Sequence, residues 1–275
     1  MLLIGDIDHP VTALTANFDR ILAFYPGGAH SISIDDGKIF SYPVLSDTGC
    51  SSRGAAVQIG NDSVVINERG VCRLHATSSD PDNFSIKNLS ACLGEKWSRN
   101  ICKSACLFWD NTKQELWVRD LSEQEQGLVW IWNAELNEWY CFDNIHANFF
   151  TVYNGRLLFG TTDRLCLFED SRLTDDNATF DAYYQSGYLS FDSAHTAKRS
   201  LRASICAALE SSDLHVTLDT ERSTHSFSCH GKNDSAPSLF DVRVAPGRFR
   251  FLRYRITCTG KSASKIYETN FFTTL

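Results

Sequence analysis

Among the side chains of this 275-residue sequence that can do chemistry, Glu135 and Glu138 come nearest to an acid–base pair, flanking the polar corner Asn133-Ala134-Glu135-Leu136-Asn137. Two carboxylates divide into acid and base only where their surroundings hold the two pKa values apart. A hairpin corner leaves both solvated. Cys102 and Cys106, and the dipeptide Cys229-His230, offer zinc-type ligands, but no CxxC or HxxxH at close spacing completes a tetrahedral set. Ser262-Ala263-Ser264-Lys265 spells the S-x-x-K of penicillin-binding enzymes, yet it lies between strand-like runs and lacks an accompanying S-D-N or K-T-G. The histidines are scattered, and His215 and His225 are placed to face each other across a hairpin as surface imidazoles. G-x-S-x-G, Walker A and Rossmann glycine patterns are absent. No motif gathers a nucleophile, a base and an orienting group, so the sequence predicts no catalytic site, no metal and no cofactor.

The elements that carry these residues read as strands. Asn154-Gly155 separates the run Phe149 to Tyr153 from the run Arg156 to Gly160. Asn-Gly between apolar runs signals a hairpin, because a type I′ turn needs positive φ at both central residues. Units of an apolar strand, a turn and a second strand recur from Arg20, Asp62, Gln114 and Gly155. Aligning Ile21, Val64, Leu116 and Leu157 gives spacings of 43, 52 and 41 residues, close to the roughly 40 to 50 residues of a propeller blade. A four-stranded blade has two apolar faces and cannot cover them alone, so blades stack around an axis. Neither the Trp-Asp nor the kelch signature recurs, and four equivalents make an incomplete wheel or one closed by another chain. Evenly spaced strands of a β-sandwich are the alternative. Ser33-Ile34-Asp35-Asp36-Gly37-Lys38-Ile39-Phe40 resembles the Asp box of sialidase-type propellers, in which Asp35 and Gly37 would shape a tight turn without doing chemistry.

From about Asp181 the pattern changes to alternating strands with polar connectors, as in a β-sandwich. The expected architecture is therefore all-β: an incomplete or irregular propeller-like region over 1–175, with about four blade equivalents, followed by a sandwich module over 176–275. Ser200 to Leu209 fits both periods and is read as a strand from its context. Between Phe249 and Thr259 the alternation changes phase, which a β-bulge near Phe251-Leu252 would absorb.

The net charge of −7 argues against a nucleic-acid platform over the whole surface. No cationic leader opens the sequence and no long apolar run follows, so the chain is expected to be soluble, made without secretion and without a membrane span. Its ten cysteines are expected to be reduced and mostly core residues. Charge is unevenly placed. Asp241 to Lys265 carries +6, leaving −13 elsewhere. Arg243, Arg253 and Arg255 occupy the non-apolar parity of their strands, and the acidic loop Asp120 to Glu125, with Glu123 and Glu125, is a candidate partner for them on another copy. The alternative is a solvated strand face.

In order along the chain, "PVTALTANFDRILAF", "GCSSRGAAVQIGNDSVVINERGVCRL", "VWIWNAELNEWYCFDN", "DAYYQSGYLSFDS" and "FRFLRYRITCTGKSASKIYE" resemble the propeller-bearing tail proteins of bacteriophages, the nozzle proteins of short-tailed phages and their relatives. Gly49-Cys50 and Gly70-Val71 match turns of that pattern, although nozzle proteins are at least twice as long. The resemblance implies a structural virion protein, made in the host bacterial cytoplasm, that forms or decorates a ring around the DNA exit path. Its partners would be other copies of itself, other phage tail or connector proteins, and DNA in transit. Two further readings remain: a glycan-binding or glycan-hydrolysing propeller using Trp97, Trp109, Trp130, Trp132 and Trp139 as sugar platforms, and a cytosolic protein-interaction propeller.

Overall fold

The computed structural model describes residues 9–18, 20–44, 48–50, 52–77, 80–96, 101–123, 125–169, 174, 178–179, 181–191, 193–231, 236–259 and 264–274. Trp97, Ser262, Ala263 and the Cys102 side chain lie outside them. The chain is all-β, and the helical elements among the described residues are a 3-10 segment at Ala91–Lys96 and one turn at Ile101–Ser104. It divides into two compact units, Met1–Glu169 and Asp170–Leu275.

Four antiparallel meanders make up the first unit. The first sheet is β1 (Ala13–Asn17), β2 (Arg20–Tyr25), β3 (Gly28–Asp35) and β4 (Lys38–Pro43). The second is β5 (Ala56–Ile59), β6 (Asp62–Asn67), β7 (Gly70–Thr77) and β8 (Asp80–Asn88). The third is β9 (Ala105–Asp110), β10 (Glu115–Asp120), β11 (Val129–Asn133) and β12 (Glu138–Phe142). The fourth has three described strands, β13 (Phe149–Tyr153), β14 (Arg156–Gly160) and β15 (Leu165–Leu167). The first strands β1, β5, β9 and β13 lie side by side in that order, which is the blade layout of a propeller. No comparable packing joins β13 to β1 among the described residues, so the blades form an open arc.

The turns follow the residue types. Asn154 (φ 50°) and Gly155 (φ 71°) close β13 on β14, and Asp36 (φ 47°) and Gly37 (φ 72°) close β3 on β4. Both pairs have the two positive φ values of a type I′ turn. Phe40, the aromatic of the Asp-box pattern, is exposed. A Cβ at Gly49 would stand 2.4 Å from the carbonyl oxygens of Tyr25 and Pro26, so only glycine fits where the chain leaves the first blade.

The four positions aligned in the sequence all fall on second strands, β2, β6, β10 and β14, but one is a residue out of register. Each second strand opens with a residue paired across the preceding turn: Arg20 with Asn17, Asp62 with Ile59, Glu115 with Asp110, Arg156 with Tyr153. Counted from there, Ile21 corresponds to Ser63, not Val64. An apolar pattern skips a serine, yet Ser63 is fully buried and its hydroxyl meets that of Thr15 on the first blade at 2.6 Å. In this register Ser63, Leu116 and Leu157 face the preceding blade, and Leu22, Val64 and Trp117 face the following one.

The core of the unit is therefore a series of blade-on-blade contacts. Every residue of β6 and of β10 is buried, because the two middle blades are covered on both faces. Trp132 and Leu116 pack towards the second blade, with Trp109, Trp130 and Trp139 half-buried beside them. On the other face Trp117 meets the rings of Phe150 and Phe168 at 5.6 and 5.2 Å. The described tryptophans thus serve as blade packing, and none lies open as a platform.

Two sheets face each other in the second unit. Its strands are β16 (Ala182–Gln185), β17 (Ser200–Ala208), β18 (Asp213–Thr220), β19 (Thr224–His230), β20 (Ser238–Val244), β21 (Leu252–Thr259) and β22 (Lys265–Thr274). They are ordered β16-β21-β18-β19 and β20-β17-β22. Leu214, Val216, Leu218, Leu252 and Ile256 of one sheet pack with Leu201 and Ile205 of the other. Ser200 to Ala208 is a strand, with Leu201, Ala203, Ile205 and Ala207 buried on alternate positions.

Two expectations are corrected in this unit. The bulge lies between Cys206 and Ala207, not near Phe251-Leu252. There the phase changes because the strand starts only at Leu252: Phe249 pairs separately with Lys198, and the Glu221 carboxylate accepts the amides of Arg250 (2.6 Å) and Phe251 (3.2 Å). His215 pairs with Ser228 and His225 with Leu218, so the two imidazoles lie on opposite faces of the hairpin. By the same alternation Cys229 is buried while His230 is exposed, so they cannot share a metal. Lys198 is buried as well, its Nζ donating to the carbonyls of Ser190 (2.6 Å) and Ser193.

Replacing Trp117 by alanine removes the central contact between the third and fourth blades. The expected loss is about 3–5 kcal/mol, read from the urea denaturation midpoint. A shift below about 1 kcal/mol would show that this contact is not core.

Candidate functional site

Chemistry-bearing side chains gather on the third blade, on the face turned towards the fourth. Glu115 opens β10 and is buried, and Tyr140 stands two strands away on β12. The Tyr140 hydroxyl donates to Glu115 Oε1 at 2.5 Å. Tyr140 and Phe142 meet edge-on at 5.5 Å, and Lys113 Nζ lies 5.2 Å from the Phe168 ring centre. A phenol held by a carboxylate has a base in place to take its proton, the pairing that activates an oxygen nucleophile. The carboxylates that stand out in the sequence, Glu135 and Glu138, are not part of this pair. Glu138 pairs with Asn133 in the ladder, and the corner residue Glu135 is exposed. The signal for Glu115 and Tyr140 was in the strand register alone, since they are far apart in sequence.

The acidic loop has a structural occupation. Arg119, fully buried on β10, donates to Glu123 Oε2 (3.1 Å), to the carbonyls of Asp120 (2.6 Å) and Leu128 (3.3 Å), and to that of Glu123. Burial would raise the Glu123 pKa, but the amides of Gln126 and Leu128, together with Arg119, outweigh it and hold the carboxyl below its ordinary range. Glu125 is exposed.

The basic residues divide between the two sheets of the second unit. Arg253 and Arg255 share the outer face of the β16-β21-β18-β19 sheet, paired in register with Asp219 and Thr217. Arg253 binds Asp219 at 3.1 Å and lies over Tyr188, and Arg255 lies 4.3 Å from the Tyr183 ring centre. The Thr224 hydroxyl first, and Arg253 second, lower the Asp219 pKa against its partial burial. Arg243 is on β20 of the other sheet, opposite Arg202, whose guanidinium grips Asp241. Asp35, Gly37, Asn154 and Gly155 form exposed turn tips.

No protein-family model matches this chain, and no curated protein matches it by sequence. Solved structures do. The extracellular domain of a one-component system from B. thetaiotaomicron aligns over 62% of this chain and 22% of its own length, at 16% identity and TM-score 0.43. PorZ, a surface component of the type-IX secretion system of Porphyromonas gingivalis, aligns over 58% and 27%, at 14% identity and TM-score 0.33. An exo-β-1,3-galactanase from Phanerochaete chrysosporium aligns over 92% and 78%, at 8% identity and TM-score 0.33. This chain thus spans about a fifth of the first of these proteins. None of the three is a phage tail protein. The exclusion of an enzyme made from the sequence is corrected by this finding, a glycoside hydrolase among the similar structures. At 8% identity that likeness assigns neither a reaction nor a residue to this chain.

The depressed Glu123 pKa fixes the sign of a pH effect. Its contribution is complete above the ordinary carboxylate range and is lost as pH falls through the lower folded value. Glu123→Gln is therefore expected to lower the denaturation midpoint at neutral pH and to narrow its difference from the midpoint in acid. An unchanged acid limb would show that the Arg119 contact does not couple to folding.

Proposed function

We propose that the chain is a structural assembly protein of a bacteriophage tail or head-to-tail connection, forming or decorating a ring around the DNA exit path. The observation that carries this reading is the apolar surface left open on the two terminal blades. Leu14, Ile21, Ile34 and Ile39 are exposed on the first, and Phe149, Tyr153, Leu165 and Leu167 on the last. Contiguous exposed apolar side chains on a soluble fold mark a surface meant for a partner. The order of segments resembling phage tail proteins supplies the setting. A net charge of −7 suits a conduit, because repelled phosphate slides past instead of sticking.

Mass spectrometry of purified particles made by a host carrying this gene is expected to find the chain at a fixed ratio to the other tail proteins. Its absence from particles would end the virion reading. Arg255→Glu, on an exposed strand face, is expected to reduce incorporation at least several-fold while leaving the β spectrum of the isolated chain unchanged. Normal incorporation would remove charge docking from the scheme.

The Tyr140–Glu115 pair favours one second reading, a glycan-acting propeller, since a tyrosine nucleophile beside a carboxylate is the device of sialidase-type hydrolysis. Turnover of sialosides or other glycans that falls at least a hundredfold in both Tyr140→Phe and Glu115→Gln would establish it. Turnover unaffected by either change would reject this pair as its source.

A further inference from the structure

We infer that two copies of this chain join head to tail through their terminal blades, so that two four-blade arcs close into one eight-blade ring. The inference rests on the assembly reading above and names its partner.

The register argument supplies the reason. Ser63, Leu116 and Leu157 all face the preceding blade and are 0, 0 and 4% exposed, while Ile21 holds the same position on the first blade and is 41% exposed. Ile21 occupies a place that the repeat covers everywhere else. Pairing extends this face across the sheet: Leu14 with Ala23, Ile21 with Ile32, Ile34 with Ile39. At the far end Leu158 sits where Leu22, Val64 and Trp117 face a following blade, and no such blade is present among the described residues. Phe149, Tyr153, Leu165 and Leu167 lie on that same face. Among the described residues the first blade thus lacks a predecessor and the last lacks a successor. The surface that fits both is the opposite end of another copy, which continues the stacking already used three times inside the chain.

Charge and area agree. The first blade ends in the exposed acidic tip Asp35-Asp36, and the last carries exposed Arg156 on its open face. At about 4.8 Å between strands and about 3.3 Å per residue, three strands of five residues cover roughly 14 by 17 Å. One such contact buries roughly 480 Å² counting both partners, in the range of crystal packing, whereas two bury roughly 950 Å², close to the ~1,000 Å² of a specific interface. A single contact is too small to hold, so the closed pair is favoured over an open chain. Eight blades is also within the usual range of about 4 to 8 for a propeller.

Sedimentation of the full chain tests this. The unmodified chain is expected to be a dimer at tens of micromolar. Ile34→Asp with Ile39→Asp on the first blade, and separately Leu165→Asp with Leu167→Asp on the last, are each expected to weaken dimerisation at least tenfold, because either change blocks both contacts. Mixing the two variants restores one contact and should give a weak mixed pair. A monomeric unmodified chain, a closed trimer, or a dimer that survives either variant would overturn the proposal. If a variant loses its β spectrum, hydrogen exchange of the unmodified chain at rising concentration reads the same contact. Protection rising together on β3, β4, β14 and β15 supports the ring, and protection independent of concentration overturns it. A monomer found at a fixed ratio in particles would sink the ring and keep the virion reading; a dimer absent from particles would do the reverse.

Discussion

The first unit depends on covering both faces of each second strand. A β-strand sends successive side chains to opposite sides, so an apolar strand such as β6 or β10 is stable only between two neighbours. Blade stacking meets that demand for the two middle blades and leaves it half met at the ends. The same demand explains why the residues differ along the arc. Trp117 and Trp132 fill opposite faces of one blade, while the equivalent strand of the first blade carries Leu22 and Phe24 towards its neighbour and Ile21 away from it.

Much of this was legible in the sequence. Asn154-Gly155 and Asp36-Gly37 announce their turns through local backbone chemistry, and the second strands each carry an apolar run that recurs at blade spacing. Other features were not legible, because their cause is non-local. Ser63 looks polar and is buried because Thr15 of another blade supplies its partner. Glu221 ends an irregular stretch thirty residues away by accepting the amide of Phe251. Glu115 and Tyr140 become neighbours only when β10, β11 and β12 take their register. The glutamates flanking the visible corner lie apart from that pair, Glu138 opposite Asn133 in the ladder and Glu135 exposed at the corner.

Charged groups were the hardest to place from the sequence. Counting signs along the chain separates a basic segment from an acidic remainder, but the fold spreads the basic residues over two sheets and pairs several of them locally, Arg253 with Asp219 and Arg202 with Asp241. Arg119 is buried and acts as a clamp on the loop that follows it, through a carboxylate and three carbonyls. A guanidinium suits that task because its donors are fixed in a plane and its charge persists at any relevant pH.

Lys198 has a consequence of a different kind. Its ammonium is enclosed and bound to the carbonyls of Ser190 and Ser193, so acylating reagents and acetyltransferases cannot reach its nitrogen while the segment is closed. Labelling of this one amine, set against the exposed lysines as an internal reference, becomes a clock for local opening. Any acyl group found on it in a mature chain would date from before the sandwich closed or from such an opening.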